Sequence, residues 1–219
     1  MPKPTFFNLP EEKRQRIVEL ATDEFAANLY HAASLSRIVE RAGIAKGSIY
    51  QYFEDKMDLY IYIFGLAAET KLAAIQQAMA ALGPSPGVFD ILRAAIRAGF
   101  ELARSNPKLA AIGMNFLRER DPAVRGPVLA AFMPMGEAMM DQWFRTAVET
   151  GEIAPWVEPA VARLSYTTLA NTAMEHMAEG HMTLDEAARL LEGVVDVLEY
   201  GLRPRAEAGG GPEKGGRRQ

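Results

Sequence analysis

The chain has 219 residues, no cysteine and a formal charge of −4. It is long enough for one or two domains with a substantial core, but it has no disulfide framework, thiol nucleophile or cysteine-ligated zinc site, and no overall positive charge to drive coat-like binding of nucleic acid. No apolar run reaches the eighteen or so residues needed to cross a bilayer, and the opening MPKPTFFNLPEEKRQR lacks an apolar signal core, so a cytoplasmic protein without membrane contact is expected.

Taken in order, the predicted elements are all helical. The first helix begins at Pro10, with Glu11 and Glu12 in the first turn where the helix dipole favours acids, and Ile17, Leu20, Ala21 and Phe25 form its buried stripe. In the second, Leu35, Ile38, Val39 and Ala42 recur at helical spacing, either Ser34 or Ser36 can cap the start, and Gly43 suits the abrupt stop. A third helix fits Lys46 to about Tyr52, with Ile49 and Phe53 turned inward and Lys46, Gly47, Ser48, Tyr50, Gln51 and Tyr52 left outside.

Two helices across a short glycine turn describe a helix-turn-helix reader of the major groove. Lys46 and Lys56 bracket the exposed helix and suit phosphates. Gln51 suits a bidentate contact to adenine, and Ser48 suits several base edges. Tyr50 and Tyr52 can reach phosphate, sugar or the thymine methyl. Basic and acidic side chains nearly balance in the first sixty residues, so binding to a double-stranded operator relies on position and on a second subunit.

The run from Ile38 to Phe53 (IVERAGIAKGSIYQYF), followed by Asp55-Lys56-Met57-Asp58-Leu59, resembles the signature of the tetracycline-repressor-like (TetR/AcrR) regulators over about residues 10–60. The resemblance implies an all-α homodimer: an N-terminal three-helix helix-turn-helix DNA-binding domain plus a C-terminal helical ligand-binding and dimerisation domain. It places Lys46, Gly47, Ser48, Tyr50, Gln51 and Tyr52 on the recognition helix, Lys56 at a phosphate contact, and Ser34, Ser36 and Arg37 on the preceding helix. Ala45 departs from the family's usual Ser or Thr, which weakens the recognition helix N-cap by about 1 kcal/mol.

The predicted domains are 1–55 for DNA, 56–203 for ligand and dimerisation, and a disordered tail at 204–219. Asp55 can cap a fourth helix that runs to about Leu82 and links the domains as one rod, ended by Gly83-Pro84-Ser85-Pro86-Gly87. A fifth helix follows, on which Arg93, Arg97 and Glu101 read as a solvated charged face. Asn106-Pro107 starts a short helix ending near Leu117, RERDPAVRGP reads as a polar loop, and a long helix spans about Pro127 to Thr150. Pro134 either kinks that helix, making it a cavity wall, or marks a second helix start.

Eight of the eleven methionines lie between residues 110 and 185, and flexible, polarizable Met walls suit ligands of varied shape. The candidate pocket residues are Phe100, Met114, Asn115, Arg118, Met135, Met139, Trp143, Tyr166, Asn171 and Glu175, for a small apolar or amphipathic effector.

The eighth helix runs from about Pro159 to Glu179, and Thr183 to Glu186 matches a capping box for the ninth. The ninth helix is apolar around so much of its girth that it must bury two faces, one on its own domain and one on a two-fold mate; the homodimer is therefore expected through the last two helices. His176 and His181 lack zinc-site spacing, and no catalytic motif, metal or cofactor is expected. The function expected is a ligand-responsive repressor on a near-palindromic operator. The alternatives are a dimeric DNA-binding regulator without a small ligand, and a helical enzyme.

Overall fold

The computed structural model describes residues 1–204, apart from the side chain of Lys46; the expected disordered tail lies outside the described residues from 205 onward. The described residues are helical throughout, with no strand among them. A single turn α1 (Pro4–Phe7) precedes α2 (Glu11–Ala27) and α3 (Leu35–Arg41); a 3-10 helix (Lys46–Gln51) leads into α4 (Lys56–Ala80). The rest comprises α5 (Val88–Ser105), α6 (Pro107–Arg118), α7 (Pro122–Glu149), α8 (Pro159–Ala178) and α9 (Leu184–Leu202).

Most boundaries follow from local chemistry. Ser34 caps α3 by accepting from the Arg37 N–H, Asp55 caps α4 by accepting from the Asp58 N–H, and Thr183 and Glu186 form the reciprocal box at α9. Gly43 takes φ 66°, a left-handed conformation that a side chain would strain, and so turns the chain from α3 towards the 3-10 helix.

Two expectations are corrected in the middle of the chain. The polar loop before α7 shrinks to Glu119–Asp121, because Asp121 caps the helix at Ala123 N–H and Pro122 occupies its first turn. Pro127 and Pro134 then both lie inside the single helix α7, so Pro134 does not start a second helix. On α5 the expected charged face is exposed at Arg97 and Glu101 and half-buried at Arg93, and the helix also pairs with α9. Arg93 bonds Asp196 at 2.6 Å and also Glu199, Arg97 bonds Glu192 at 2.7 Å, and Arg104 bonds Asp185 at 2.5 Å. Sequence spacing shows charges on one face; it does not show a facing helix with matching acids.

The interior divides into two cores. The first joins Phe6, Ile17, Leu20, Phe25, Ile38, Ile49, Phe53, Leu59 and Ile63 to Ile112 and Phe116 of α6 and to Val124 and Val128 of α7. It therefore extends past the boundary expected at residue 55. The second gathers Phe89, Leu92, Ile96, Phe100, Phe144, Met177, Leu191 and Val195 from α5 and α7 to α9. Helix α4 belongs to the first, where Phe64 packs on Phe116 and Phe132 with ring centroids 5.0 and 5.3 Å away, and it also runs along α5.

Candidate nucleic-acid interface

The reader is built on a hydrophobic underside. Ile38 and Val39 of α3, with Ile49 and Phe53 beyond, are buried against α2 and α4. Gly47, Tyr50 and Gln51 face solvent, Tyr50 with 51% of its surface exposed, and Ser48 is half-buried. Lys46 opens this helix, but its side chain lies outside the described residues.

The segment is a 3-10 helix. Ser48 N–H donates to the Ala45 carbonyl at 2.8 Å and Tyr52 N–H to the Ile49 carbonyl at 3.0 Å. This pitch corrects the placement of Tyr52. At three residues per turn, Ile49 and Tyr52 fall on the same side, so Tyr52 turns inward, is only 6% exposed and packs 6.2 Å from the Phe6 ring. The expectation of two adjacent outward tyrosines reduces to Tyr50 alone.

The end of this helix is held by a segment that sequence reasoning missed. The last carbonyls of a helix lack internal donors, and residues 3–5 supply them. Lys3 N–H donates to the Tyr52 carbonyl at 2.8 Å, Lys3 Nζ to Tyr50 at 3.0 Å, and the Thr5 hydroxyl to Gln51. Phe6 anchors the segment: it is fully buried, with its ring 4.8 Å from Phe53 and 5.5 Å from Tyr62. The available signal was the apolar pair Phe6-Phe7 just after Pro4, ahead of the first long helix.

On the other side, Glu24 fixes α3 to α2. Buried on α2, it accepts from Ser34 N–H at 2.8 Å and from Arg37 Nε at 3.0 Å, with Arg37 Nη2 also bonded to it. Burial alone would raise its pKa, but the bonds from Arg37 and from the Ser34 N–H outweigh that and hold it below the ordinary carboxylate value. Arg37 also donates Nη2 to the Ala32 carbonyl at 2.7 Å, so much of its guanidinium is engaged by the fold.

Lys56, expected at a phosphate, is turned inward. Its Nζ donates to the carbonyls of Tyr30 at 2.8 Å and Ala33 at 3.0 Å and lies 4.4 Å from the Tyr30 ring centroid, which orders the loop before α3. Ser36 remains exposed beside half-buried Ser34. His31 reaches across to Asp121, the cap of α7, at 2.9 Å.

This geometry is that of a helix-turn-helix head, and comparison with known proteins places it. The model of the bacterial regulatory proteins of the tetR family matches residues 17–63. A TetR family transcriptional regulator from Chloroflexus aurantiacus is 34% identical, with 94% of this chain and 100% of that chain covered and a TM-score of 0.64. The chain belongs to the TetR family of transcriptional regulators.

Two further relatives in the family are more distant. The HTH-type transcriptional activator FasR of Mycolicibacterium smegmatis is 27% identical over 134 residues, 61% of this chain and 58% of that protein. The fatty acid metabolism regulator protein of Bacillus subtilis is 25% identical over 154 residues, 69% of this chain and 76% of that one. No helix among the described residues is long and apolar enough to cross a membrane.

In the regulator's second domain the structure brings together part of the expected pocket set. Phe100 is buried in the second core, and Met114, Trp143 and Tyr166 pack against it. Met139 and Glu175 are half-buried; Met135 and Asn171 are exposed. Asn115 and Arg118 are corrected. Asn115 Nδ2 donates to the carbonyls of Phe25 and Ala26 at 3.0 Å and of Asn28 at 3.3 Å, closing the end of α2. Arg118 Nε donates to the Ala178 carbonyl at the end of α8. Both serve orphan carbonyls of neighbouring helices, a use of polar side chains that only the packing of α6 reveals.

Proposed function

We propose that this regulator is a homodimeric, ligand-responsive repressor that acts in the cytoplasm on a near-palindromic operator. The observation that carries the reading is the outward edge of Gly47, Tyr50 and Gln51, fixed by the Glu24 contacts on one side and by residues 3–6 on the other. In this reading Gln51 and Ser48 contact base edges, Tyr50 contacts backbone or thymine methyl, and Lys46, Ser34 and Ser36 contact phosphates. Two such heads sit in successive major grooves roughly 34–36 Å apart.

The dimer is supported by unmatched apolar surface on the last two helices. Val161, Leu164 and Leu169 of α8 and Leu190, Val197 and Tyr200 of α9 are exposed, while Ala187, Leu191 and Val195 on the opposite side of α9 are buried. An exposed apolar row of this kind marks a protein contact.

The effector is an apolar or amphipathic molecule held among α4 to α8, beside Phe100, Met114, Met139, Trp143 and Tyr166. A solved neighbour with the same fold, FadR from Bacillus subtilis, holds stearoyl-CoA, so the fold accommodates an amphipathic guest. Coupling runs through α4, which belongs to the first core and packs along α5, and through α6, whose Asn115 bonds the end of α2 while Arg118 bonds the end of α8. By linkage the effector must bind the DNA-free state better, typically by about 1–3 kcal/mol.

Footprinting on duplex DNA from the protein's own promoter region tests the reading. One protected site with two symmetric halves is expected. Gln51→Ala and Tyr50→Ala should each abolish protection at concentrations where the wild type protects, with unchanged circular dichroism. Absence of any protected site for the wild type overturns the proposal.

A further inference from the structure

Helix α6 has two working faces. Lys108, Ile112 and Asn115, spaced at i, i+4 and i+7, lie along α2, and Ile112 is fully buried in the first core. Met114 and Arg118, four apart on another side, meet the second core and the end of α8. One short helix therefore touches both cores, and the face it lays on the reader begins with a cation.

That cation meets an acid that α3 also holds. Asp23 of α2 accepts from Arg41 Nη2 of α3 at Oδ2, 3.2 Å away, and has Lys108 Nζ of α6 at 2.5 Å from Oδ1. Oδ1 is buried and accepts no aligned hydrogen bond among the described residues, so the Lys108 ammonium is what compensates it. Lys108, ahead of Arg41, holds the Asp23 carboxyl below its ordinary pKa.

The next residue repeats the pattern. Glu24 is bonded by Arg37 of α3, and Asn28 donates to it at 3.3 Å while the Asn28 carbonyl accepts from Asn115. Arg37 and Arg41 thus grip two consecutive acids, and α6 reaches the first directly and the second through Asn28. Lys108 and Arg41 keep 59% and 51% of their side chains exposed, so the Asp23 bridge adds little to folding stability. What it fixes is geometry, because any tilt of α3 against α6 lengthens a contact to the shared carboxylate.

We propose that Asp23 and Lys108 are positioning residues for DNA recognition: their pair sets the angle of each head on its own second domain, and so the separation of the two readers in the dimer. This rests on the proposed reading of a homodimer on two symmetric half-sites and adds what holds their spacing. Each head is joined along the chain to the second domain through α4 alone. Apolar packing is non-directional, which leaves the angle about that rod to polar contacts.

The test uses the symmetric duplex defined by footprinting, and the same duplex with one base pair inserted or removed at its centre, a shift of about 3.4 Å. Anisotropy with the full chain should show the wild type binding either altered duplex roughly tenfold or more weakly than the native one. Lys108→Met should weaken native binding several-fold and shrink that spacing penalty to about threefold or less, while Lys108→Arg keeps it. A Tm within a few degrees of the wild type shows that so exposed a substitution leaves the fold intact.

Wild-type affinity and a wild-type spacing penalty in Lys108→Met overturn the inference and leave the operator reading standing. So does a wild type indifferent to spacing. The inference falls equally if Lys108→Met loses the same factor on all three duplexes; a salt slope lowered by about two, one per subunit, would then mark Lys108 as a phosphate contact. A wild type that protects no duplex, or only one half-site, overturns the operator reading and this inference together.

Discussion

The two cores of this regulator are built to opposite ends. Around the reader, polar groups are used up inside the protein: Glu24 is shared between Ser34 and Arg37, Lys56 serves the loop carbonyls, Asn115 closes α2, and residues 3–5 close the 3-10 helix. Its apolar part is a mesh of aromatic rings, Phe6, Phe53, Phe25, Tyr60 and Tyr62. The second core has methionines at its edge, partly buried Trp143 and Tyr166 packed against it, and an ion-paired outer face between α5 and α9. A surface that must match a rigid duplex is best fixed before the encounter. A sensor needs contacts that are completed only when its ligand arrives, because only such differential contacts shift an equilibrium.

The largest effect should come from the anchor of the reader. Phe6→Ala removes a fully buried ring and should cost about 3–5 kcal/mol in urea denaturation; a loss under about 1 kcal/mol would mean that the segment is not part of the first core. Next, Glu24→Gln should cost about 1–3 kcal/mol at neutral pH by leaving Ser34 N–H and Arg37 poorly matched. Because the folded pKa of Glu24 lies below its ordinary 4.5, its contribution is present above that pH and fades as pH falls through the folded value. The variant should therefore show a shallower loss of stability in acid, and an unchanged acid slope would remove Glu24 from the account.

Thr5→Val should be milder, about 1 kcal/mol, with specific DNA affinity lowered by up to about tenfold and non-specific binding unaffected; anisotropy on operator and scrambled duplexes separates the two. The smallest effect runs the other way. Ala45 precedes the 3-10 helix and offers no side-chain acceptor, so Ala45→Ser should gain about 0.5–1 kcal/mol, seen as a small rise in Tm. A comparable gain at an exposed site of the second domain would show that the contrast between the regions is not one of capping.

Much of the reader was legible before any fold was known. Ser34, Gly43, Ile49, Phe53 and Asp55 took their expected places because capping, positive φ and apolar spacing act within a few residues. Tyr52 was misplaced because the pitch of a six-residue helix depends on what holds its ends. Lys56, Asn115 and Arg118 were misread for one reason: a long polar side chain has many reachable partners, and the sequence does not say which lies nearest.

The amino-acid sequence by itself determined the all-helical class, the helix-turn-helix and the family, since each is written in local spacing. Tertiary structure alone decided that residues 3–6 clamp the reader, that the first core extends into α6 and α7, and that the arginines of α5 meet the acids of α9. Those features depend on which helices come to face one another, and that is set by the burial of whole faces at once, a property no single segment contains.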